Sequence, residues 1–147
     1  MINFGLIGAG RIGQAHARSL AAHPNARLVA IADPVIEAAE KLAKSYDARA
    51  VADAEELFQA DDIDAVIIGS PTPLHVAHIT AAVKAGKAAL CEKPIAMSSA
   101  DEEKLMKAIE GYDAKVMLGF NRRFDPAFAA VRKAVSDGKI GGEIEQL

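Results

Sequence analysis

The sequence has few of the features that mark secreted or membrane-spanning proteins. It contains a single cysteine, Cys91, so no disulfide can form within the chain, as is typical of proteins in the reducing cytoplasm. No apolar stretch approaches the length needed to cross a bilayer. The first residues carry no basic segment followed by a small-residue cleavage site. We therefore expect a cytoplasmic protein without a membrane partner.

An excess of positive charge is also missing. The chain has 17 Lys and Arg against 20 Asp and Glu, a net charge of -3, and its basic residues are scattered rather than clustered. This distribution provides no electrostatic footprint for a polyanion, so we expect no nucleic-acid partner. The 147 residues are 51% hydrophobic and 25% charged, which is typical of one soluble globular domain with a substantial core.

Short aliphatic runs alternate with alanine-rich helical stretches along most of the chain. This alternation is typical of a parallel sheet with helices on both faces. With right-handed crossovers, six strands predict an α/β fold, a doubly wound Rossmann-type parallel sheet of order 3-2-1-4-5-6. Capping-box patterns at Asp53-x-x-Glu56 and Ser99-x-x-Glu102 predict two helix starts. We predict strands near residues 2–7, 27–32, 48–52, 64–69, 87–91 and 114–118, and helices near 11–22, 34–45, 54–60, 73–85, 99–110 and 126–137.

A glycine-rich turn, G-A-G-R-I-G over residues 8–13, joins the first strand to the first helix. Strand, turn and helix thus occur in the order that a dinucleotide-binding βαβ unit needs. Gly8 allows a sharp turn, Gly10 leaves room for a pyrophosphate, and Gly13 allows close packing of helix and strand. The free amides and positive dipole at the helix start favour an anion there. The expected cofactor contacts in this turn are Gly8, Gly10, Arg11, Ile12 and Gly13.

An acid follows the turn at the expected distance. Asp33 ends the second apolar run, about 20 residues after Gly13. A carboxylate there accepts hydrogen bonds from ribose hydroxyls and repels a 2'-phosphate, and Pro34 rather than an arginine follows it, so NAD is favoured over NADP. Two structural alternatives stay open: the glycine turn can serve packing alone, and Asp33 can cap a helix that has Pro34 at its first position.

Three later loops follow strands 4, 5 and 6, whose carboxyl ends meet at one edge of the sheet, so we expect them to line one cleft. Two residues in these loops have purely structural interpretations. Lys93 can be a solvated charge at a strand end, and His75 can be a residue at a helix start whose ring nitrogens have hydrogen-bond partners. The other histidines lack partners at metal-ligand spacing, so no metal site is expected. The three loops are Ser70-Pro71-Thr72-Pro73-Leu74-His75, Glu92-Lys93-Pro94 and Phe120-Asn121-Arg122-Arg123.

These motifs, together with residues 119–125, resemble in order and spacing those of the Gfo/Idh/MocA oxidoreductases, over essentially the whole chain. The resemblance implies the nucleotide-binding half of an NAD-dependent dehydrogenase acting on a CH-OH group of a cyclic polyol or sugar, with myo-inositol as the expected substrate. In that family a second α/β domain carries a catalytic Asp and His and builds a homo-oligomer. We therefore expect a dinucleotide-binding domain over residues 1–120. Residues 121–147 are then a connecting helix and the start of the second domain, including a strand from 143.

The resemblance also implies roles for individual residues. Lys93 is the expected catalytic residue, because the corresponding lysine of the family reaches both the nicotinamide and the reacting hydroxyl. The Lys93–Pro94 bond is expected to be cis, as it often is in the family. Asn121 and Arg122 are expected to face substrate hydroxyls, since a guanidinium suits a polyol. Without the second domain, the chain is expected to bind NAD with little or no catalysis. Alternatives are a sugar oxidoreductase using NADP, a non-catalytic sugar-sensing regulator, or an isolated domain. The further expected cofactor contacts are Ser70, Pro71, Thr72, His75, Glu92 and Lys93.

Overall fold

A six-stranded parallel sheet lies at the centre of the computed structural model, which describes residues 1–139. Its order, β3-β2-β1-β4-β5-β6, confirms the predicted doubly wound Rossmann-type sheet. All five neighbouring pairs are parallel. The strands are β1 (Ile2–Ile7), β2 (Ala26–Ala32), β3 (Arg49–Val51), β4 (Ala65–Ile68), β5 (Ala88–Cys91) and β6 (Val116–Leu118).

Each predicted helix is present, with ends that shift by at most a few residues. Two short 3-10 turns, Thr72–Leu74 and Asn121–Phe124, precede α4 and α6. Between residues 1 and 139, no helix combines the length and apolarity needed to cross a membrane. The strand predicted from residue 143 lies outside the described residues. The helices are α1 (Arg11–Ala22), α2 (Ile36–Ala43), α3 (Glu55–Gln59), α4 (His75–Lys84), α5 (Ser99–Ala108) and α6 (Pro126–Ser136).

The sheet separates two hydrophobic cores. Successive strand residues point to opposite faces, so Leu6 packs with α1 and α2, whereas its neighbour Ile7 packs with the core that contains α3, α4 and α5. Ile31 and Ile68 are fully buried in these two cores, respectively. The central strands are therefore covered by helices on both faces, as the near-continuous aliphatic runs predict.

The capping prediction for α5 is displaced by one residue. Ser98, not Ser99, is the N-cap: its hydroxyl accepts a hydrogen bond from the Asp101 amide at 3.2 Å and donates to the Asp101 carboxylate at 2.8 Å. At α3, the Asp53 carboxylate accepts from the Glu55 amide at 2.9 Å, while Ala54 is the N-cap. The pattern thus identified Asp53 but not Asp101, because Ser98 and Ser99 each precede an acid by three residues.

The strand order places β1 between β2 and β4. The connections after β1 and β2 therefore run toward one edge of the sheet, whereas those after β4 and β5 run toward the other edge. A doubly wound sheet opens a crevice at such a switch point, outside the carboxyl ends of the strands. The glycine-rich turn after β1 and the loops after β2 and β4 meet at this edge. The fold therefore positions them to form one site.

Candidate functional site

A cavity of about 620 Å³ occupies the crevice at the switch point. It is formed by the segments that follow β1, β2, β3 and β4, with both polar and aliphatic groups in its wall. Its size is that of a small-molecule or cofactor site. Its lining residues include Gly8, Gly10, Arg11, Ile12, Asp33, Ser70, Pro71, Leu74 and His78.

The three glycines of the turn have different surroundings. Gly8 has φ +100°, and a Cβ on it would lie 2.7 Å from the Gly69 carbonyl oxygen. A Cβ on Gly13 would overlap the carbonyl oxygen of Gly8. Around Gly10, by contrast, a Cβ would meet nothing within 4 Å. Packing of the chain itself therefore requires Gly8 and Gly13, whereas Gly10 keeps open a space in the cavity wall.

The helix that follows the turn presents free amides to this space. Gly10 is the N-cap of α1 and provides no side-chain cap, and the first turn contains no acidic residue. The first intrahelical bond runs from the Gln14 amide to the Gly10 carbonyl at 3.0 Å. The preceding amides, from Arg11 to Gly13, have no partner within the helix. Free amides, a positive helix dipole and an open space together fit a diphosphate group.

Asp33 connects the glycine turn to the segment after β2. One carboxylate oxygen accepts a hydrogen bond from the Ala9 amide at 2.8 Å, and the other accepts from the Val35 amide at 2.9 Å. The N-cap of α2 is Val35, so Asp33 is not the cap that the structural alternative required. Each carboxylate oxygen can accept a second hydrogen bond, so Asp33 retains capacity for ribose hydroxyls.

His78 lines the cavity, although no such role was predicted for it from the sequence. Its Nδ1 lies 3.0 Å from the Ser70 hydroxyl. Burial lowers the pKa of His78, as does the neighbouring His75, while Asp53 acts in the opposite direction. The ring is therefore neutral near pH 7 and behaves as a polar wall rather than a charge. The sequence did contain one signal for this role, because His78 is four residues after Leu74 and so lies on the same side of a helix. In the structure both residues line the cavity.

The His75 ring is buried and lies outside the cavity, although a cofactor contact was predicted. Its Nε2 is 2.9 Å from the Ser70 carbonyl oxygen, and its Nδ1 is 2.7 Å from the Pro94 carbonyl oxygen. His75 also begins α4, so the structure matches the alternative of a helix-start residue with a satisfied ring. Its side chain connects the loop after β4 to the loop after β5.

Glu92 and Lys93 follow β5 directly. Lys93 is exposed, and the Lys93–Pro94 bond is cis, as the resemblance implied. Glu92 accepts a hydrogen bond from Nε2 of His16 at 2.8 Å. Neither residue lines the cavity between the segments that follow β1 to β4. The neighbouring Cys91 is inert, because burial and, to a lesser extent, Glu92 raise the pKa of its thiol to about 12.

Asn121 and Arg122 lie in the 3-10 turn after β6, also outside the cavity. Arg122 stacks over the Phe128 ring at 5.0 Å and lies 3.7 Å from the Asp125 carboxylate. Thr72 lines a separate depression that includes Met97. The loops after β4, β5 and β6 thus share one edge of the sheet, but residues 1–139 alone do not join them into the single cleft that was predicted.

Comparison with known proteins gives the class. The family model described as "Oxidoreductase family, NAD-binding Rossmann fold" matches residues 2–120. The glycine turn, Asp33 and the cavity all lie within this range. The chain belongs to the Gfo/Idh/MocA oxidoreductase family, and its fold is the NAD-binding domain of that family.

The relatives within this family include several inositol dehydrogenases. The chain is 47% identical over 146 residues to an inositol 2-dehydrogenase from Rhizobium meliloti, covering 99% of this chain and 44% of the relative. It matches a myo-inositol dehydrogenase structure from Corynebacterium glutamicum with 50% identity and a TM-score of 0.85, over 97% of this chain and 43% of the other. A scyllo-inositol dehydrogenase from Lactobacillus casei, with NAD(H) and scyllo-inositol bound, matches with 34% identity and a TM-score of 0.90, over 96% and 42%. The chain thus spans less than half the length of these relatives.

Proposed function

We propose that this chain is the cofactor-binding part of an NAD-dependent dehydrogenase that oxidises a ring carbinol of a cyclic polyol, with myo-inositol as the first substrate to test. The observation that carries the proposal is the cavity at the switch point, where the open space at Gly10, the free amides of α1 and Asp33 lie in one wall. The inositol dehydrogenases among the relatives support the choice of substrate.

Each group in the cavity has a distinct task in this proposal. The amides from Arg11 to Gly13 receive the diphosphate, and Asp33 accepts hydrogen bonds from the adenosine ribose. Asp33 is already fixed through Ala9 and Val35, so it is ordered before a cofactor arrives. Ser70, Pro71 and Leu74 form the wall provided by the loop after β4. When bound, NAD supplies the hydride acceptor.

Lys93 carries the proton transfer at its Nζ. It lies at the end of β5, next but one to β1 in the sheet, and its side chain is exposed. Asn121 and Arg122 follow the adjacent β6 and offer hydrogen-bond donors to substrate hydroxyls. Holding the carbinol near both Lys93 and the cofactor requires walls beyond those of residues 1–139. We therefore infer that the chain by itself binds NAD and catalyses little or nothing, and that the other half of the enzyme supplies the remaining walls and the oligomer contacts.

Cofactor selectivity tests the proposal. Asp33→Ala removes the charge that repels a 2'-phosphate, so the ratio of NADP to NAD dissociation constants should fall by about tenfold or more, equivalent to about 1.4 kcal/mol. The ratio is the critical quantity, because loss of the Ala9 contact weakens both cofactors alike. Asp61→Ala, an exposed acid outside the cavity, is the matched control. Calorimetric titrations that give the same ratio for Asp33→Ala and the wild type would refute this role of Asp33.

A further inference from the structure

Lys93 has an anchored residue on each side. Within residues 1–139 its own side chain makes no hydrogen bond, whereas Glu92 is bound to His16 and the Pro94 carbonyl to His75. We infer that His16, acting through Glu92, is a positioning residue for Lys93. This inference rests on the proposed function, since it assigns a purpose to the placement of Lys93.

The contact between His16 and Glu92 is well defined. Nε2 of His16 donates to Oε1 of Glu92 at 2.8 Å, and the two side chains are only 20% and 17% exposed. Water and salt therefore screen this pair less than they would a pair on the open surface. The carboxylate also lies beside Gly119, which follows β6: a Cβ there would be 3.2 Å from the same oxygen. The Glu92 carboxylate is thus placed between α1 and the segment after β6.

The backbone around Lys93 is held as firmly as its flanking side chains. The Glu92 amide donates to the Ile68 carbonyl at 3.0 Å and extends the pairing of β5 with β4. Two residues later, the Pro94 carbonyl accepts from His75 at 2.7 Å. Lys93 stands between these two fixed points. Their positions therefore determine the region that the flexible Lys93 side chain can reach.

His16 also connects this segment to the helix that receives the diphosphate. It lies on α1, whose first amides line the cavity, yet His16 itself is outside the cavity. Loss of the His16 side chain should therefore leave the cofactor site intact and release the Lys93 segment on one side. His75 is less useful for a test, because its ring is buried between two loops and its removal would disturb both.

The experiment compares cofactor affinity with the accessibility of the Lys93 amine. Calorimetry gives the NAD+ dissociation constant, and peptide mass spectrometry gives the rate of Lys93 acetylation by an N-hydroxysuccinimide ester, with and without saturating NAD+ and relative to exposed Lys44. The variants are His16→Leu, which removes the donor, and His16→Gln, which retains an N–H. His23→Leu is the matched control, because His23 is exposed at the end of the same helix and does not contact Glu92.

We expect NAD+ to protect Lys93 in the wild type and in His23→Leu. In His16→Leu the protection should fall about fivefold, as for loss of one hydrogen bond of ordinary strength, with an unchanged dissociation constant, and His16→Gln should restore part of it. Full protection in His16→Leu would overturn the inference and leave the proposed function standing. A parallel loss of affinity and thermal stability in His16→Leu would show a structural role and also overturn it. A wild-type chain that binds no NAD+ would instead refute the proposed function.

Discussion

Gly10 and Gly13 are three residues apart but have different roles, one in leaving space for the cofactor and the other in packing of the chain. Gly13 faces the Gly8 carbonyl, whereas Gly10 faces open space. Gly13→Ala should lower the free energy of unfolding by about 2–3 kcal/mol, because the new methyl group must displace backbone. Gly10→Ala should cost about 1 kcal/mol or less, the penalty of alanine at an N-cap, but weaken NAD+ binding about tenfold or more by occupying the diphosphate space.

Urea unfolding and calorimetry on both glycine variants measure these effects. Each variant serves as the control for the other, since both add one methyl group to the same turn. Equal losses of stability would contradict the packing argument. An unchanged affinity in Gly10→Ala would contradict the assignment of the open space to the cofactor.

His78 makes stability depend on pH in a defined direction. Its pKa is lowered in the folded chain, chiefly by burial, so the unfolded chain takes up a proton first as the pH falls. The resulting loss of stability begins near the ordinary value of 6.5 and continues down to the lowered pKa of the folded chain. Melting temperatures at about pH 7.5 and 5.5 should therefore differ less for His78→Gln than for the wild type. An identical difference in both proteins would show that His78 does not contribute.

At the scale of elements, local sequence signals predicted most of the fold. The six strands and six helices follow from alternating aliphatic and alanine-rich segments, and the strand order follows from the handedness of the crossovers. The two 3-10 turns were not predicted, because three or four residues carry too little periodicity to distinguish a turn from a loop. The phase of the α5 cap was wrong for a related reason: Ser98 and Ser99 both precede an acid by three residues.

The corrected cap of α5 can be tested with a serine pair. Ser98 provides the hydrogen bond to the Asp101 amide, so Ser98→Ala should lower the free energy of unfolding by about 1 kcal/mol. Ser99 is exposed and makes no side-chain hydrogen bond within residues 1–139, so Ser99→Ala should change it by less than about 0.5 kcal/mol. Chemical denaturation of the two variants measures the difference. A larger effect for Ser99→Ala would restore the original prediction.

The site was predictable only where its residues are close in sequence or belong to one motif. The glycine turn and Asp33 fall within a βαβ unit whose spacing is fixed by the geometry of strand and helix. His16 and Glu92 are 76 residues apart, and no local pattern pairs them. The role of the His75 ring depends in the same way on a carbonyl 19 residues away. Such contacts arise from the packing of one loop on another, which sequence spacing does not report.

At the scale of the whole molecule, the described chain is asymmetric. The cavity lies between the segments after β1 to β4, while Lys93 and Arg122 lie on the half of the sheet formed by β5 and β6. That half also exposes large apolar side chains. On the cofactor side, residues 1–139 form a cavity, whereas Lys93 and Arg122 on the other side are exposed and do not line it. The exposed side chains are Met117, Phe120, Phe124, Phe128 and Val131.

A crystal structure of this chain grown with NAD+ is the most direct test of the central claim. The diphosphate should lie within hydrogen-bond distance of the amides from Arg11 to Gly13, over the space beside Gly10, and the adenosine ribose should contact Asp33. NAD+ bound at any other surface of the chain, with the crevice at the start of α1 empty, would contradict the account.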